Sequence, residues 1–232
     1  MKAGWKHCLV IFLIVPLGLI GQTTGPLTST ANAASPVVNI QTYGTTYGEL
    51  SARWWQWLLS IPAAVNPNLD QVGTNCALGQ YDDVWFLAGA FGGTFVRTCT
   101  VPASKPIFFP LINTIAFKPS GSETLLDLRQ LAAAFIDSFT VTSLMCKLDN
   151  APCAPSLETF RVRSPSFTVI APAKGLLPPG HLSLPGNTDS LVSDGYWLLL
   201  SPLTSGSHTL RFTAMTSAGF SLDVTYNLSV VP

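Results

Sequence analysis

Near the C-terminus, apolar and polar residues alternate strictly, and this pattern limits the fold class more than any other in the chain. Leu222, Val224, Tyr226, Leu228 and Val230 are separated by single polar residues. Because successive side chains of a strand point to opposite faces, the pattern predicts a strand with one face on a core and the other in water. Antiparallel sheets in two-layer proteins show this arrangement.

Further short β-prone runs fill the C-terminal half, separated by Pro, Gly, Asp or Ser. They are residues 139–148, 160–163, 167–171, 196–200, 208–214 and 220–231. Regular short strands favour a β-sandwich or jelly-roll over a parallel α/β fold. The sequence therefore predicts a mainly β protein, an antiparallel, jelly-roll-like β-sandwich with two short helices.

Two strand-like segments precede this region. Residues 83–89 and 94–101 flank a glycine-containing loop, which predicts a β-hairpin. Residues 107–113 are also β-prone but contain Pro110, so we expect a strand at a sheet edge or one with a bulge.

Both predicted helices begin with recognisable caps. Thr46 and Glu49 have the spacing of a capping box, and no breaker follows until Pro62, so a helix of about three turns is expected. Ser122 is the expected N-cap of the second helix, whose apolar residues recur at helical spacing.

The first helix carries a polar stripe that permits two interpretations. Glu49, Arg53, Gln56 and Ser60 lie on one face, and tryptophans cover the rest. In the structural hypothesis, Glu49 and Arg53 form an ion pair that docks the helix. In the functional one, the stripe lines a groove for a sugar or other small polar ligand, with aromatic rings for stacking. The residues of this predicted ligand site are Tyr47, Glu49, Arg53, Trp54 and Gln56.

The N-terminus has the features of a secretory signal. Lys2 and Lys6 precede the apolar run 8–20, which is too short to span a membrane, and Ala31-Asn32-Ala33 offers a cleavage site. We predict a signal peptide over residues 1–33, a single domain over 34–232 that begins near Ala34, and a secreted or periplasmic protein with no membrane span after cleavage.

Four cysteines remain after cleavage: Cys76, Cys99, Cys146 and Cys153. An even number in an oxidising compartment predicts disulfides, and sequence proximity favours the pairs 76–99 and 146–153. The alternative of a four-cysteine zinc site does not fit, because neither pair has the spacing of a zinc knuckle.

Composition argues against several functional classes. Only 10% of the residues are charged and 47% are hydrophobic, as expected for a packed domain rather than a disordered chain. Lysines and arginines are scattered singly, so no nucleic-acid partner is expected.

Candidate chemistry is sparse. His181 and His208 have no second ligand at metal-binding spacing. Asn66, Asn68 and Asp70 have the spacing of a calcium loop but lack its glycine and its final glutamate, so we interpret them as a turn. The Gly-x-Ser-x-Gly motif of serine hydrolases is also missing from the sequence. We therefore predict no catalytic residue, no metal and no cofactor.

Four segments carry a resemblance to other proteins. Residues 47–57 (YGELSARWWQW), 84–87, 101–110 and 194–197 together resemble a family of exported bacterial proteins with no assigned activity. The resemblance covers most of the mature chain. It implies export and a single domain, and it carries no catalytic residue across.

Three functional hypotheses follow. The first is a non-catalytic exported protein that binds a glycan, an envelope surface or a partner protein. The second is an extracytoplasmic hydrolase whose carboxylates, among Glu49, Asp70, Asp82, Asp83 and Glu158, converge only in the fold. The third is a structural, envelope-associated protein without a small ligand.

Overall fold

Two helices and nine strands make up the part of the chain that the computed structural model describes, residues 36–37, 44–117, 123–138, 141–176 and 190–232. The helices are α1 (Tyr47–Ser60) and α2 (Leu125–Ser138). The strands are β1 (Trp85–Phe86), β2 (Gly93–Pro102), β3 (Ile107–Ala116), β4 (Val141–Leu148), β5 (Ala151–Pro152), β6 (Arg161–Arg163), β7 (Val192–Leu200), β8 (Gly206–Thr216) and β9 (Ser221–Val231). The predicted signal peptide and its cleavage site lie outside the described residues.

The strands form two sheets that pack against each other. One has the order β1-β3-β7-β6 and the other β2-β9-β8-β4-β5. Both helices contact the four-stranded sheet. The predicted β-sandwich with two helices is confirmed, but the sheets are mixed rather than purely antiparallel, because β1 pairs with β3 and β2 with β9 in parallel.

The predicted hairpin over 83–101 is wrong. β1 joins β3 through the pairs Trp85↔Ile107 and Phe86↔Phe108, whereas β2 aligns with β9 along its full length. Gly92 and Gly93, with φ of 107° and 96°, lie where the chain passes from one sheet to the other. The glycine loop therefore connects two sheets instead of closing a hairpin.

The proline-containing strand β3 lies inside its sheet, between β1 and β7. Its register with β7 shifts between Pro110 and Ile112, which confirms the predicted bulge. The irregularity accommodates a residue that has no N–H to donate to the ladder.

The alternation in β9 is confirmed, since the five apolar residues that define it, Leu222, Val224, Tyr226, Leu228 and Val230, are 0–4% exposed. They belong to the core between the two sheets. Both predicted disulfides are present in this core, with Cα–Cα distances of 5.9 Å for Cys76–Cys99 and 5.4 Å for Cys146–Cys153.

A second core lies between α1 and the outer face of the four-stranded sheet. Trp54 meets Trp197 edge to face at 5.2 Å, and Trp197 stacks on Phe108 at 5.3 Å. Gly48 and Gly195 allow the close approach of backbones, because an added Cβ would lie 2.6 Å from the carbonyl oxygen of Arg163 and 2.5 Å from that of Ile112, respectively.

Each helix is capped by residues close to its own N-terminus, and for α1 this was predicted. The Thr46 hydroxyl accepts from the Glu49 N–H at 3.1 Å, and the Glu49 carboxylate accepts from the Thr46 N–H at 2.8 Å, which confirms the capping box. Ser122, the expected cap of α2, lies outside the described residues. Thr124 and Asp127 exchange equivalent hydrogen bonds at the start of that helix. Neither of the described helices is both long and apolar enough to cross a membrane.

Candidate functional site

The polar stripe of α1 does not contain the predicted Glu49–Arg53 contact. Nη1 of Arg53 donates to both carboxylate oxygens of Asp82, at 2.8 and 3.0 Å, and Nη2 donates to the Thr45 hydroxyl at 3.0 Å. Glu49 is instead committed to the helix cap. The ion-pair hypothesis for Glu49 and Arg53 is therefore wrong in its partners, because the capping box and Asp82 compete for the two side chains.

The Glu49 carboxylate is held ionised. The N–H of Thr46 and the hydroxyls of Thr45 and Thr46 all donate to its Oε2, and these bonds, the backbone one foremost, lower the Glu49 pKa. Arg53 lowers this pKa further only through its charge. A fixed carboxylate and a fixed guanidinium thus lie one helical turn apart.

These two groups line a depression of about 460 Å³, together with Gly44, Thr45, Ala52 and Pro165. Within the described part of the chain, Oε1 of Glu49 accepts no hydrogen bond and Nε of Arg53 donates none. Within that part of the chain, acceptor capacity on Glu49 and charged donor capacity on Arg53 therefore remain for a bound molecule.

The two predicted stacking rings lie elsewhere. Trp54 is 2% exposed, and its Nε1 donates to the Leu87 carbonyl at 2.9 Å. Tyr47 packs against Phe108 and Phe160, and burial raises the pKa of its hydroxyl to about 12. Neither ring lines the depression, so both act in packing.

Gln56, the last residue of the predicted site, reaches away from the depression and donates to the Thr168 carbonyl at 2.8 Å. The structure thus brings together only Glu49 and Arg53 of the five predicted ligand residues. It adds Thr45 to the lining and Asp82 as the support of Arg53. Asp82 lies 29 residues from Arg53 in sequence, and no local pattern links the two.

A second concave site lies between the sheets at the end of α2. It has a volume of about 280 Å³ and is lined by α2, β4 and β6 with Glu158 and Tyr196. Arg161 dominates its electrostatics, since Nε and Nη2 donate to the buried Asp194 at 2.9 and 3.0 Å and Nη1 donates to Asp137. The hydrogen bonds that Arg161 donates to Asp194 are the main reason that the pKa of Arg161 is raised.

The two carboxylates that line this inter-sheet cleft are both hydrogen-bonded to neighbouring side chains. Glu158 has its pKa lowered, chiefly by the Ser156 hydroxyl at 2.8 Å, whereas a general acid needs a raised one. Asp137 is paired with Arg161. The charged side chains of the cleft are bonded to other side chains of the protein, which favours a structural role for them over a catalytic one.

Sequence reasoning missed the most unusual polar residue, Arg97. It is 1% exposed and stands in the inward phase of β2, next to Phe95 and Cys99. Its acceptors are the backbone carbonyls of Asn68, Asp70, Ala88 and Gly89 and the hydroxyl of Tyr226. The sequence does contain a signal for it, because Arg97 occupies a position of β2 that the alternating pattern assigns to the buried face.

The turn interpretation of Asn66, Asn68 and Asp70 is confirmed. Nδ2 of Asn66 donates to two carbonyls at the end of α1, and its Oδ1 accepts from the Asn68 N–H. The Asp70 carboxylate accepts from the N–H groups of Val72, Gly73 and Asn75.

His208 binds Asp149 at 2.7 Å, whereas His181 lies outside the described residues. Across those residues, no three His, Cys, Asp or Glu side chains are grouped as metal ligands would be.

Comparison with protein-family models, curated proteins and solved structures found no match to this chain. The resemblance to an exported bacterial family stays a prediction. Several residues of its motifs have structural roles here. Trp54 contacts Trp197, Gly195 allows a close approach of two backbones, and Asp194 forms salt bridges with two arginines.

Proposed function

We propose that the mature chain is an exported, non-catalytic β-sandwich that binds a hydroxyl-rich ligand, such as a glycan, in the depression beside Glu49 and Arg53. One observation carries the proposal. A carboxylate and a guanidinium line the same depression, each is immobilised by its own neighbours, and each retains hydrogen-bonding capacity.

Fixed polar groups suit such a ligand for a physical reason. A carboxylate accepts hydrogen bonds from sugar hydroxyls and a guanidinium donates to them, and charge-assisted hydrogen bonds are the stronger kind. Because the capping box and Asp82 already hold the side chains, little rotamer entropy is lost on binding. Stacking on Tyr47 or Trp54 contributes nothing in this arrangement, so we expect modest affinity.

Export is part of the proposal and has separate support. The two disulfides are compatible with export, because disulfides form and persist in oxidising compartments, which lie outside the cytoplasm in most organisms. The charge and apolar pattern of residues 1–33 supports the same conclusion.

A glycan array probed with the mature protein tests the binding site. Glycans that bind are then titrated by calorimetry against the wild type, Glu49→Gln and Arg53→Ala. Loss of a charged hydrogen bond of about 1.5–3 kcal/mol should weaken binding by roughly 10-fold or more. The matched control is Arg211→Ala, which removes an exposed arginine that is also paired with an aspartate, Asp223, at 2.7 Å.

The melting temperature separates binding from folding. The side chains of Arg53 and Asp82 are 38% and 18% exposed, so their pair should contribute at most about 1 kcal/mol. Glycan binding that is equal in Arg53→Ala and wild type would refute the site. Unfolding of Arg53→Ala would show that the stripe is structural.

The hydrolase hypothesis retains one favourable observation, because the carboxylates of Asp137 and Glu158 line one cleft. Chromogenic glycosides of several sugars, assayed with the wild type and Glu158→Gln, test it. Turnover that disappears in this variant would make the cleft catalytic. We expect no turnover, given the lowered pKa of Glu158.

A further inference from the structure

The two edges of the five-stranded sheet are closed to different degrees. At the β2 edge, the Thr98 N–H donates to the Val72 carbonyl at 2.8 Å, so the segment that precedes β1 covers the middle of that strand. At the other edge, β5 is two residues long and pairs only with Lys147 and Leu148 of β4. Residues 141–145 of β4 lie beyond it. This part of β4 is therefore an edge strand, which most proteins cover or blunt.

Two hydrogen bonds show which way the backbone groups of β4 face. The Asp149 N–H, directly after the strand, donates to the Thr209 carbonyl of β8 at 2.8 Å. The Cys146 carbonyl accepts from the Cys153 N–H at 3.0 Å, on the opposite side of β4. Successive residues of a strand direct these groups to alternate sides. Leu144 therefore presents its N–H and carbonyl away from β8, where no strand of the described chain pairs with it.

The open edge borders the inter-sheet cleft, whose lining includes the Leu144 side chain. A residue directly opposite Leu144 on an added strand would have its side chain on the same face of the sheet, and so toward the cleft. Ile136, Val141 and Tyr196 provide apolar walls there. The cleft volume of about 280 Å³ is several times the roughly 30 Å³ that one water occupies in the liquid, so a large side chain fits.

The charged groups of the cleft already have partners within the protein. Arg161 donates to Asp137 and Asp194, and the Ser156 hydroxyl donates to Glu158. Because their charges are bonded internally, these side chains give no reason to expect a charged ligand. The features that remain for a partner are the backbone groups at the β4 edge and the apolar walls.

We infer that β4 binds an extended peptide segment of another protein as an added strand, with an apolar side chain of the peptide in the inter-sheet cleft. Hydrogen bonds along a sheet edge recognise an extended backbone, and a pocket for an alternate side chain gives specificity. A folded second copy fits poorly. Interfaces between folded chains usually bury about 800 Å² on each partner, whereas the open edge is roughly 17 Å long. The inference is independent of the proposed glycan site.

Amide hydrogen exchange can locate the added strand. A random-peptide phage library is panned on the mature protein, and enriched peptides are synthesised and added to the ¹⁵N-labelled protein. In the free protein, the Leu144 amide should exchange fast and the Met145 amide, which faces β8, slowly. Saturating peptide should slow exchange at Leu144 by about 10-fold or more and leave Met145 unchanged.

Changes in the peptide separate backbone recognition from side-chain recognition. Methylation of single peptide nitrogens should abolish binding at alternate positions only, because successive N–H groups face opposite sides of a strand. Replacement of the apolar residue that enters the cleft by serine should weaken binding by roughly 10-fold or more, since a buried apolar side chain is lost.

A pair of matched variants tests the cleft. Thr142 is exposed and lines the cleft, so Thr142→Trp should obstruct it and weaken peptide binding by about 10-fold or more. Thr100→Trp is the control, because Thr100 is exposed on β2 at the opposite edge of the same sheet. Both variants should keep the wild-type melting temperature, since both positions are exposed. If Thr142→Trp unfolds, exchange at Leu144 in the wild type still decides.

Three outcomes would overturn the inference: no peptide is enriched, bound peptides leave exchange at Leu144 unchanged, or folded Thr142→Trp binds them as tightly as the wild type. Self-association of the free protein that slows exchange at Leu144 would instead assign the β4 edge to a second copy.

Discussion

Replacing Arg97 by methionine should destabilise the mature protein by about 3–5 kcal/mol, a large part of a typical domain's stability. The carbonyls of Asn68, Asp70 and Gly89 lose the guanidinium, whereas that of Ala88 keeps a hydroxyl donor at 2.9 Å. An unmade buried hydrogen bond costs about 1–3 kcal/mol, so three give roughly 3–9. Relief from burying a charge offsets the upper part of this sum, which leaves about 3–5 kcal/mol.

Urea denaturation followed by tryptophan fluorescence measures the change, with Arg211→Met as the control. Arg211 lies on the outer face of β8 in an exposed ion pair, which contributes at most about 1 kcal/mol. The midpoint should fall for Arg97→Met with the slope m unchanged. Hydrogen exchange in the segment between α1 and β1, residues 62–83, should also become faster, because Arg97 binds the carbonyls of Asn68 and Asp70 there. Equal midpoints for the two variants would refute the argument.

Three further predictions concern packing, pH and export. Trp54→Ala should cost about 3–5 kcal/mol and reduce secretion, because the ring is 2% exposed, and calorimetry and secretion assays check this. The hydrogen bond to Asp149, followed by that to the Thr204 carbonyl, raises the pKa of His208. Its contribution to stability should therefore be complete below the unfolded value of about 6.5 and be lost as pH rises through the folded pKa. Asp149→Asn should reduce this pH dependence in thermal melts, and a profile identical to wild type would contradict the assignment. Mass spectrometry of the secreted protein should show a chain that begins near Ala34, whereas intact Met1 in a membrane fraction would exclude cleavage.

Features encoded over short sequence distances could be predicted. The capping box of α1 spans Thr46 to Glu49, and the disulfide partners are 23 and 7 residues apart. The alternation in β9 depends only on which face of the strand is buried, so it could be predicted without knowledge of the neighbouring strands. Local hydrogen bonding and side-chain periodicity decide all of these features.

Features that depend on distant partners could not be predicted. The parallel pairing of β2 with β9 has no local signature, and the glycine loop after β1 permits a hairpin equally well. Arg97 and Tyr226 meet across 129 residues of sequence. The candidate site was predicted only in part, with two of its five predicted residues in the depression. The stripe on α1 is periodic and so could be predicted, but the tertiary fold decides that Arg53 pairs with Asp82 rather than Glu49.

The position of β9 has a consequence for when the fold can form. It follows every other described strand in the sequence, yet it lies between β2 and β8 and pairs with both along nearly its whole length. Until it has been synthesised, β2 and β8 each have an open hydrogen-bonding edge, and such edges promote aggregation. Completion of the sheet also requires contacts between distant parts of the chain, which form slowly. The five-stranded sheet can therefore close only after the residues of β9 have been synthesised.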